Sequence, residues 1–401
     1  VIRSWKVGEP VVLPDNYADT FAPTLADDGA VYTPSNDTTG FGNLDFFDRT
    51  RALLFQSDFE AFRNGLTAEE ASAWWYGPIG FEKVEGDSPA TLRGTTVSRM
   101  AEYRDCDAIA TPHYRDWDGS AEHFDPGSAT EHRARAARDW SWKSSGCTFV
   151  DGALYWAVAR HGIEQQPSED EIDVNLRQTA QNCSIIRSTD YGRTWTRDEA
   201  TNHADPMFPG PRFGTPFFVD YGLTPPSVDR ADEFVYATSN NGFWDNGDDL
   251  ILGRVRRDRI ARLDGADWEF YRGGDGGDDA SWAGSFDEAE SILVAKARVG
   301  ETGPAYLPHR GTYVLFAWSY TEGGGHYTSS ATTRWELYEA PHPWGPWTQV
   351  GEPHVWSPQG FYVPIVYPLF RDGDRIFVAT SGDFRNWYDH YHLTLVPVEL
   401  G

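Results

Sequence analysis

Five stretches of this chain read as β-hairpins, and they limit the fold more than any other feature. Residues 20–25 run into Ala26-Asp27-Asp28-Gly29, and residues 30–35 run back out. Asp-Gly between two partly apolar runs is a strong hairpin signal, because a tight turn needs residues that tolerate a left-handed backbone. The pattern returns at 144–150 and 153–159 around Asp151-Gly152, and at 215–219 and 233–239 across a longer loop. It returns again at 303–307 and 312–317 around Pro308-His309-Arg310-Gly311, and at 363–370 and 375–380 around Arg371-Asp372-Gly373-Asp374. Outer strands are expected after most of them, at 183–188 with 190–195, 250–255 with 268–271, and 335–339 with 344–347. Repeated four-stranded antiparallel units need protected edges, and radial repetition supplies them. The expected fold is therefore all-β, a five-bladed β-propeller, read as one catalytic domain over 1–401. Only residues 391–398 follow the last hairpin, so residues 2–7 are expected to complete that blade. Insertions near 45–90 and 105–140 are expected to drape over one face; Thr67 and Glu70 give the first a capping-box helix start.

The first hairpin also carries the candidate chemistry. Asp19 and Asp37 lie almost symmetrically about its turn, so folding brings two carboxylates to the same open end. Two carboxyls flanking a bond are the minimum equipment for glycoside hydrolysis. Asp37 is read as the acid and Asp19 as the base. The other hairpins end in Lys143, Arg160, His161, Asn240, Asn241, Trp244, Asp245, Trp318, Tyr362 and Asp383, which are the candidates for holding sugar hydroxyls. Ser188-Thr189-Asp190-Tyr191-Gly192-Arg193-Thr194-Trp195 fits the Asp-box pattern S-x-D-x-G-x-T-W, a turn with a structural role. Asp245-Asn246-Gly247-Asp248-Asp249 could hold a structural cation but lacks the full EF-hand pattern, so it is read as a solvated turn. No cofactor is required and no metal ligand set is assigned.

Composition narrows the partners. A net charge of −27 disfavours nucleic acid and anionic membrane surfaces. The 17 Trp and 19 Tyr exceed what a core needs, and flat rings suit sugar faces, although most are expected to pack between blades. Cys106, Cys147 and Cys183 have no metal-ligand spacing, and their redox state is left open. No apolar run is long enough to span a membrane. The opening residues are not a signal peptide, and the expected location is secreted or cell-surface, in mature form.

Several ordered blocks resemble a known family. Thr24-Leu25-Ala26-Asp27-Asp28-Gly29-Ala30-Val31-Tyr32, then Asn36-Asp37 and Gly40-Phe41, resemble the first blade of the endo-D-arabinanases, glycoside hydrolase family 183, formerly an actinobacterial domain of unknown function. Val150-Asp151-Gly152-Ala153-Leu154-Tyr155, the Asp-box, Asp232-Glu233-Phe234-Val235-Tyr236, Pro343-Trp344-Gly345-Pro346-Trp347 and Gly360-Phe361-Tyr362 follow in register. The resemblance implies a five-bladed propeller that cleaves D-arabinofuranosyl linkages in D-arabinan with inversion, using two aspartates at the positions of Asp19 and Asp37. The family's Gly-Asp-Gly is here Asn36-Asp37-Thr38, and its Trp after the first Thr is Leu25, which alters the pocket floor. Two rival readings remain. One is a propeller lyase on a uronate polymer, with a base among His113, His123, His132, His161 and Tyr114. The other is a non-catalytic sugar-binding propeller.

Overall fold

The computed structural model describes residues 1–42, 77–100, 103, 141–163, 178–321, 331–371, 373–383 and 389–401. It is a five-bladed β-propeller of small antiparallel sheets. Blade 1 pairs Thr24–Leu25, Val31–Thr38, Gly77–Glu85 and Arg93–Ser98 in order. Blade 2 pairs Ser141–Val150, Ala153–Ile163 and Gln178–Ser188. Blade 3 runs from Phe217–Phe218 through Phe234–Asn240 and Gly247–Arg256 to Trp268–Tyr271 and Trp282–Ala283; Leu293–Val299 also joins Gly247–Arg256. Blade 4 is Ala305–Leu307, Thr312–Tyr320, Thr333–Ala340 and Thr348–Trp356. Blade 5 is Tyr362–Val366, Arg375–Ser381 and Thr394–Leu400, and its outer edge is closed by Trp5–Val7, with Trp5 opposite Leu400 and Val7 opposite Val398. The N-terminal run thus completes the last blade, as its sequence led us to expect.

Five hydrophobic clusters fill the five gaps between neighbouring blades. Tyr32 and Phe81 of blade 1 meet Leu154, Trp156 and Ile186 of blade 2. Tyr155 and Ile185 meet Ala237 and Ile251 of blade 3. Leu250 and Leu252 meet Tyr313 and Leu315 of blade 4. Phe316 and Trp335 meet Ile376 and Val396 of blade 5. Leu395 and Tyr367 return to Val31 and Val84 of blade 1. Each sheet buries both faces against its neighbours, so the ring leaves no unpartnered apolar face between blades. Most of the aromatic excess is spent here.

The Asp-box behaves as its chemistry dictates. Asp190 accepts from the Thr194 amide and hydroxyl at 2.9 and 2.7 Å, and Ser188 Oγ donates to it at 2.7 Å. Gly192 supplies the left-handed backbone (φ 86°), and Trp195 packs edge-on against Phe81 and Trp156. Three expectations need correction. Gly77–Glu85 is a strand of blade 1, not part of an insertion. Residues 190–195 form this turn rather than a fourth strand; past it, the outer strand of blade 2 takes isolated bridges, from Thr196 to Arg187, from Phe208 to Cys183 and from Phe243 to Thr179. Residues 344–347 are likewise a turn, and the outer strand is Thr348–Trp356. Gly345 has φ 101° and Pro346 has no N–H to donate, so neither can extend a ladder. The helix start at Thr67, the insertion at 105–140, Cys106, and the lyase candidates His113, Tyr114, His123 and His132 lie outside the described residues.

The innermost strands surround a narrow axial cavity of about 20 Å³, lined in turn by Thr24, Cys147, Phe217, Ala305 and Ile365. That is room for a water, not for a sugar. Gly146 lets blades 2 and 3 approach here: a Cβ would lie 2.5 Å from the Phe217 backbone. Arg371 pairs with Asp220 beyond the C-terminal end of the blade 3 inner strand. Burial pulls the Arg371 guanidinium down to about 10.

Candidate active site

The inner strands of a propeller all run the same way, so the residues just before them gather at one mouth. Asp19 precedes Thr24–Leu25, Lys143 lies near the start of Ser141–Val150, Glu301 precedes Ala305–Leu307, and Tyr362 opens Tyr362–Val366. Asp37 joins them from the far end of Val31–Thr38, because the hairpin folds it back.

The first hairpin does bring its two aspartates together. Asp19 and Asn36 exchange both backbone hydrogen bonds, at 3.1 and 2.8 Å. Asn36 then reaches across to blade 2, where its Oδ1 accepts from the Ser144 amide and hydroxyl, both at 2.9 Å. That clamp sets Lys143 beside Asp37, and the ammonium of Lys143 forms an ion pair with Asp37 Oδ1. Asp19 is held differently. Tyr362 donates to its Oδ2 at 2.8 Å and Thr20 to its Oδ1 at 3.1 Å. Burial, with the Asp37 charge adding to it, pushes the Asp19 carboxyl up to about 6, against the opposing pull of Lys143 and these two hydroxyls.

Irregular backbone marks the same places. Thr20 (φ 53°), Asp37 (φ 42°) and Val363 (φ 49°) all lie in the left-handed region, where β-branched residues are outliers. Pairing also slips between Tyr362 and Ile365, and between Ser144 and Cys147. Such bulges re-aim side chains and concentrate near functional sites.

Aromatic rings continue the wall from blade 5 through blade 4. Tyr362 lies 5.6 Å from the Trp318 ring, and Trp318 lies 5.4 Å from Tyr320. Asn246 ties the next stretch on, accepting from the Tyr320 amide at 2.9 Å. The wall then passes to Trp244, 5.2 Å from His161 of blade 2. The ring of elements around the mouth is closed.

Sequence reasoning missed Glu301. It has no exposed surface, and neither carboxyl oxygen has a hydrogen-bond partner among the described residues. Its backbone is tied down: its amide donates to Trp244 O at 3.2 Å, and its carbonyl accepts from Trp318 Nε1 at 2.9 Å. Burial holds its carboxyl well above the usual range, and the charges of Asp19 and Asp245 add to this while Lys143 opposes it. The signal was available as a carboxylate just ahead of the fourth inner strand, the same place that Asp19 holds ahead of the first.

The remaining candidates divide. Lys143, Tyr362 and Trp318 belong to the mouth through the contacts above, and Asp245 through its charge acting on Glu301. Asn240 is consumed by structure, accepting from Thr215 Oγ1 and the Gly242 amide and donating to Val299 O. Asn241 braces Asp248, accepting from its amide and donating to its carboxylate, both at 3.1 Å. Arg160 stacks 4.6 Å over the Trp142 ring. Asp383 is buried beside blade 5, its amide donating to Gln359 O. The acidic stretch 245–249 is not a solvated turn: Asp245 and Asn246 are buried, Asp248 accepts from the Ala297 amide, and Asp249 takes a two-pronged contact from Arg212. Among the described residues, no three His, Cys, Asp or Glu side chains stand as a metal ligand set. No helix among them is long and apolar enough to cross a membrane.

Residues 169–395 match the family described as "Domain of unknown function (DUF4185)", which is more than half of the chain. The chain belongs to the DUF4185 family. A search of the curated proteins finds no match. Solved structures similar to this DUF4185 chain include the alpha-L-arabinofuranosidase from Podospora anserina in complex with cellotriose, at 9% identity and TM-score 0.45, covering 99% of this chain and 97% of that one. The GH43_1 enzyme from Xanthomonas citri complexed with xylose shares 12% identity at TM-score 0.44, over 98% and 89%. A family 117 glycoside hydrolase from Zobellia galactanivorans shares 9% at TM-score 0.42, over 99% and 90%.

Proposed function

We propose that this protein is a glycoside hydrolase that cleaves D-arabinofuranosyl linkages in D-arabinan of the arabinogalactan and lipoarabinomannan type. The observation that carries the reaction class is the Asp19–Asp37 pair at the channel mouth, two carboxyls in unlike surroundings. Hydrolysis of a glycosidic bond needs one carboxyl with a proton for the leaving oxygen and one without for the incoming water. Asp37 has an ammonium as its partner. The proton therefore belongs on Asp19, whose carboxyl is pushed up to about 6. This reverses the roles expected from sequence, making Asp19 the acid and Asp37 the base. The choice of D-arabinan, and the endo-acting, inverting mode, rest on the sequence resemblance alone. A polymer of this kind places the protein outside the cytoplasm, secreted or at the cell surface.

The test is reducing-end release from D-arabinan, with ultraviolet absorbance of unsaturated uronate followed on uronate-bearing polymers. Asp19→Asn and Asp37→Asn each lose about a hundredfold or more in turnover; both still fold cooperatively, Asp37→Asn at a lower midpoint because Lys143 loses its partner. Near-normal turnover in either variant sinks the assignment. An ultraviolet-absorbing product made by both variants moves the protein to the lyases, and sugar binding without any product makes it a lectin.

A further inference from the structure

The two aspartates of the first hairpin are engaged. Asp19 has Tyr362 and Thr20, and Asp37 has Lys143. Glu301 is fully buried, its two carboxyl oxygens have no hydrogen-bond partner among the described residues, and its backbone is already spent on Trp244 and Trp318. A buried polar group without a partner costs about 1–3 kcal/mol, so native folds retain few of them. The cost is offset when a ligand supplies the missing bonds.

We propose that Glu301 grips a hydroxyl of the sugar ring next to the scissile bond, from the blade 3–4 side of the mouth. The inference rests on the glycosidase reading and names a specificity residue for the same site. A protonated carboxyl offers one donor and one acceptor, which matches a hydroxyl, itself both donor and acceptor. Burial, with the charge of Asp245 adding to it, keeps the proton on Glu301. The same surroundings select against an anionic ring, since a uronate here would bring a further negative charge into a buried site beside Asp245. Position 301 therefore favours a neutral, hydroxylated sugar. The Trp318 ring fixes where the carboxyl stands: it packs so closely over Gly300 that a Cβ there would lie 2.3 Å from it.

The test uses the Asp37→Asn protein as an inactive background, titrated by calorimetry with oligosaccharides from D-arabinan. Adding Glu301→Leu weakens binding about tenfold or more, and adding Glu301→Gln, which keeps a donor and an acceptor, changes it less than about threefold. In the otherwise wild-type chain, Glu301→Leu melts no lower than the parent, because it removes an unpartnered polar group. Undiminished affinity with Leu overturns the inference, and so does weak binding by the Gln variant. A lower melting point for Leu with affinity unchanged makes Glu301 structural. If the wild-type chain releases no reducing ends and the background binds no oligosaccharide, the glycosidase reading itself fails, and this inference falls with it.

Discussion

At the scale of single residues, the site is a problem in distributing protons and one cation among carboxyls. Lys143 is nearly buried and serves Asp37, whose side chain keeps 24% of its surface exposed. Breaking a fully buried ion pair by removing one partner costs about 3–5 kcal/mol, and this exposure makes the loss here smaller. Lys143→Met is expected to lower both stability and turnover, because Asp37 loses its counter-ion and its orientation. Adding Asp37→Asn to that variant should restore stability toward that of Asp37→Asn alone, as read in a double-mutant cycle of denaturant midpoints. Additive losses would mean that the two side chains are not coupled. Glu82 shows the same physics away from the mouth. Burial pushes its carboxyl up to about 8, with Ser35 Oγ donating to it at 3.3 Å. A raised carboxyl makes the folded state bind a proton that the unfolded chain has lost, so stability falls as pH rises from about 4.5 through about 8. Glu82→Gln is expected to raise the melting midpoint by several degrees at pH 9 and to leave it nearly unchanged at pH 4, as read by calorimetry.

At the scale of elements, turns made the sequence readable and strands interrupted by Gly and Pro did not. Asp27-Asp28-Gly29 and Asp151-Gly152 announce their hairpins through backbone chemistry, and the Asp-box announces its turn through three side chains that bond one another. Asp190→Ala removes the two Thr194 bonds and the Ser188 bond, and is expected to cost about 1–3 kcal/mol in denaturant unfolding with activity unchanged below the transition. An unchanged midpoint would show the turn to be passive. The strands that were missed lack such chemistry. Gly77–Glu85 contains Gly77-Pro78 and Gly80, and Thr348–Trp356 contains Gly351 and Pro353, so both look like loops. Glu301 was hidden for a related reason. The strand that follows it has three residues, too short to show a period, and only blade assembly brings it within electrostatic reach of Asp19. Asn240 shows the reverse error: a polar residue at a hairpin end, spent on its own loop rather than on a ligand.

At the scale of the molecule, the ring closes through chain ends that lie far apart in sequence. Trp5 donates from Nε1 to Val350 O at 3.0 Å and packs edge-on against Phe316, so the N-terminal strand joins blade 4 as well as blade 5. Deleting residues 1–8 should lower the melting midpoint by about 5 °C or more, and an unchanged midpoint would mean that the ring does not depend on this strand. A closed ring fixes the strand starts around one mouth, and that places Asp19 and Asp37 of the first hairpin together with Lys143, Glu301 and Tyr362 from three other parts of the chain. The proposed chemistry depends on the proton carried by Asp19. The decisive measurement is the pH dependence of reducing-end release from D-arabinan, for the wild type and for Asp19→Asn. The rate should fall as pH rises through about 6, where the Asp19 carboxyl loses its proton, and Asp19→Asn should be inactive throughout. A wild-type rate that is level or rising from pH 5 to 8, or an active Asp19→Asn, would contradict it.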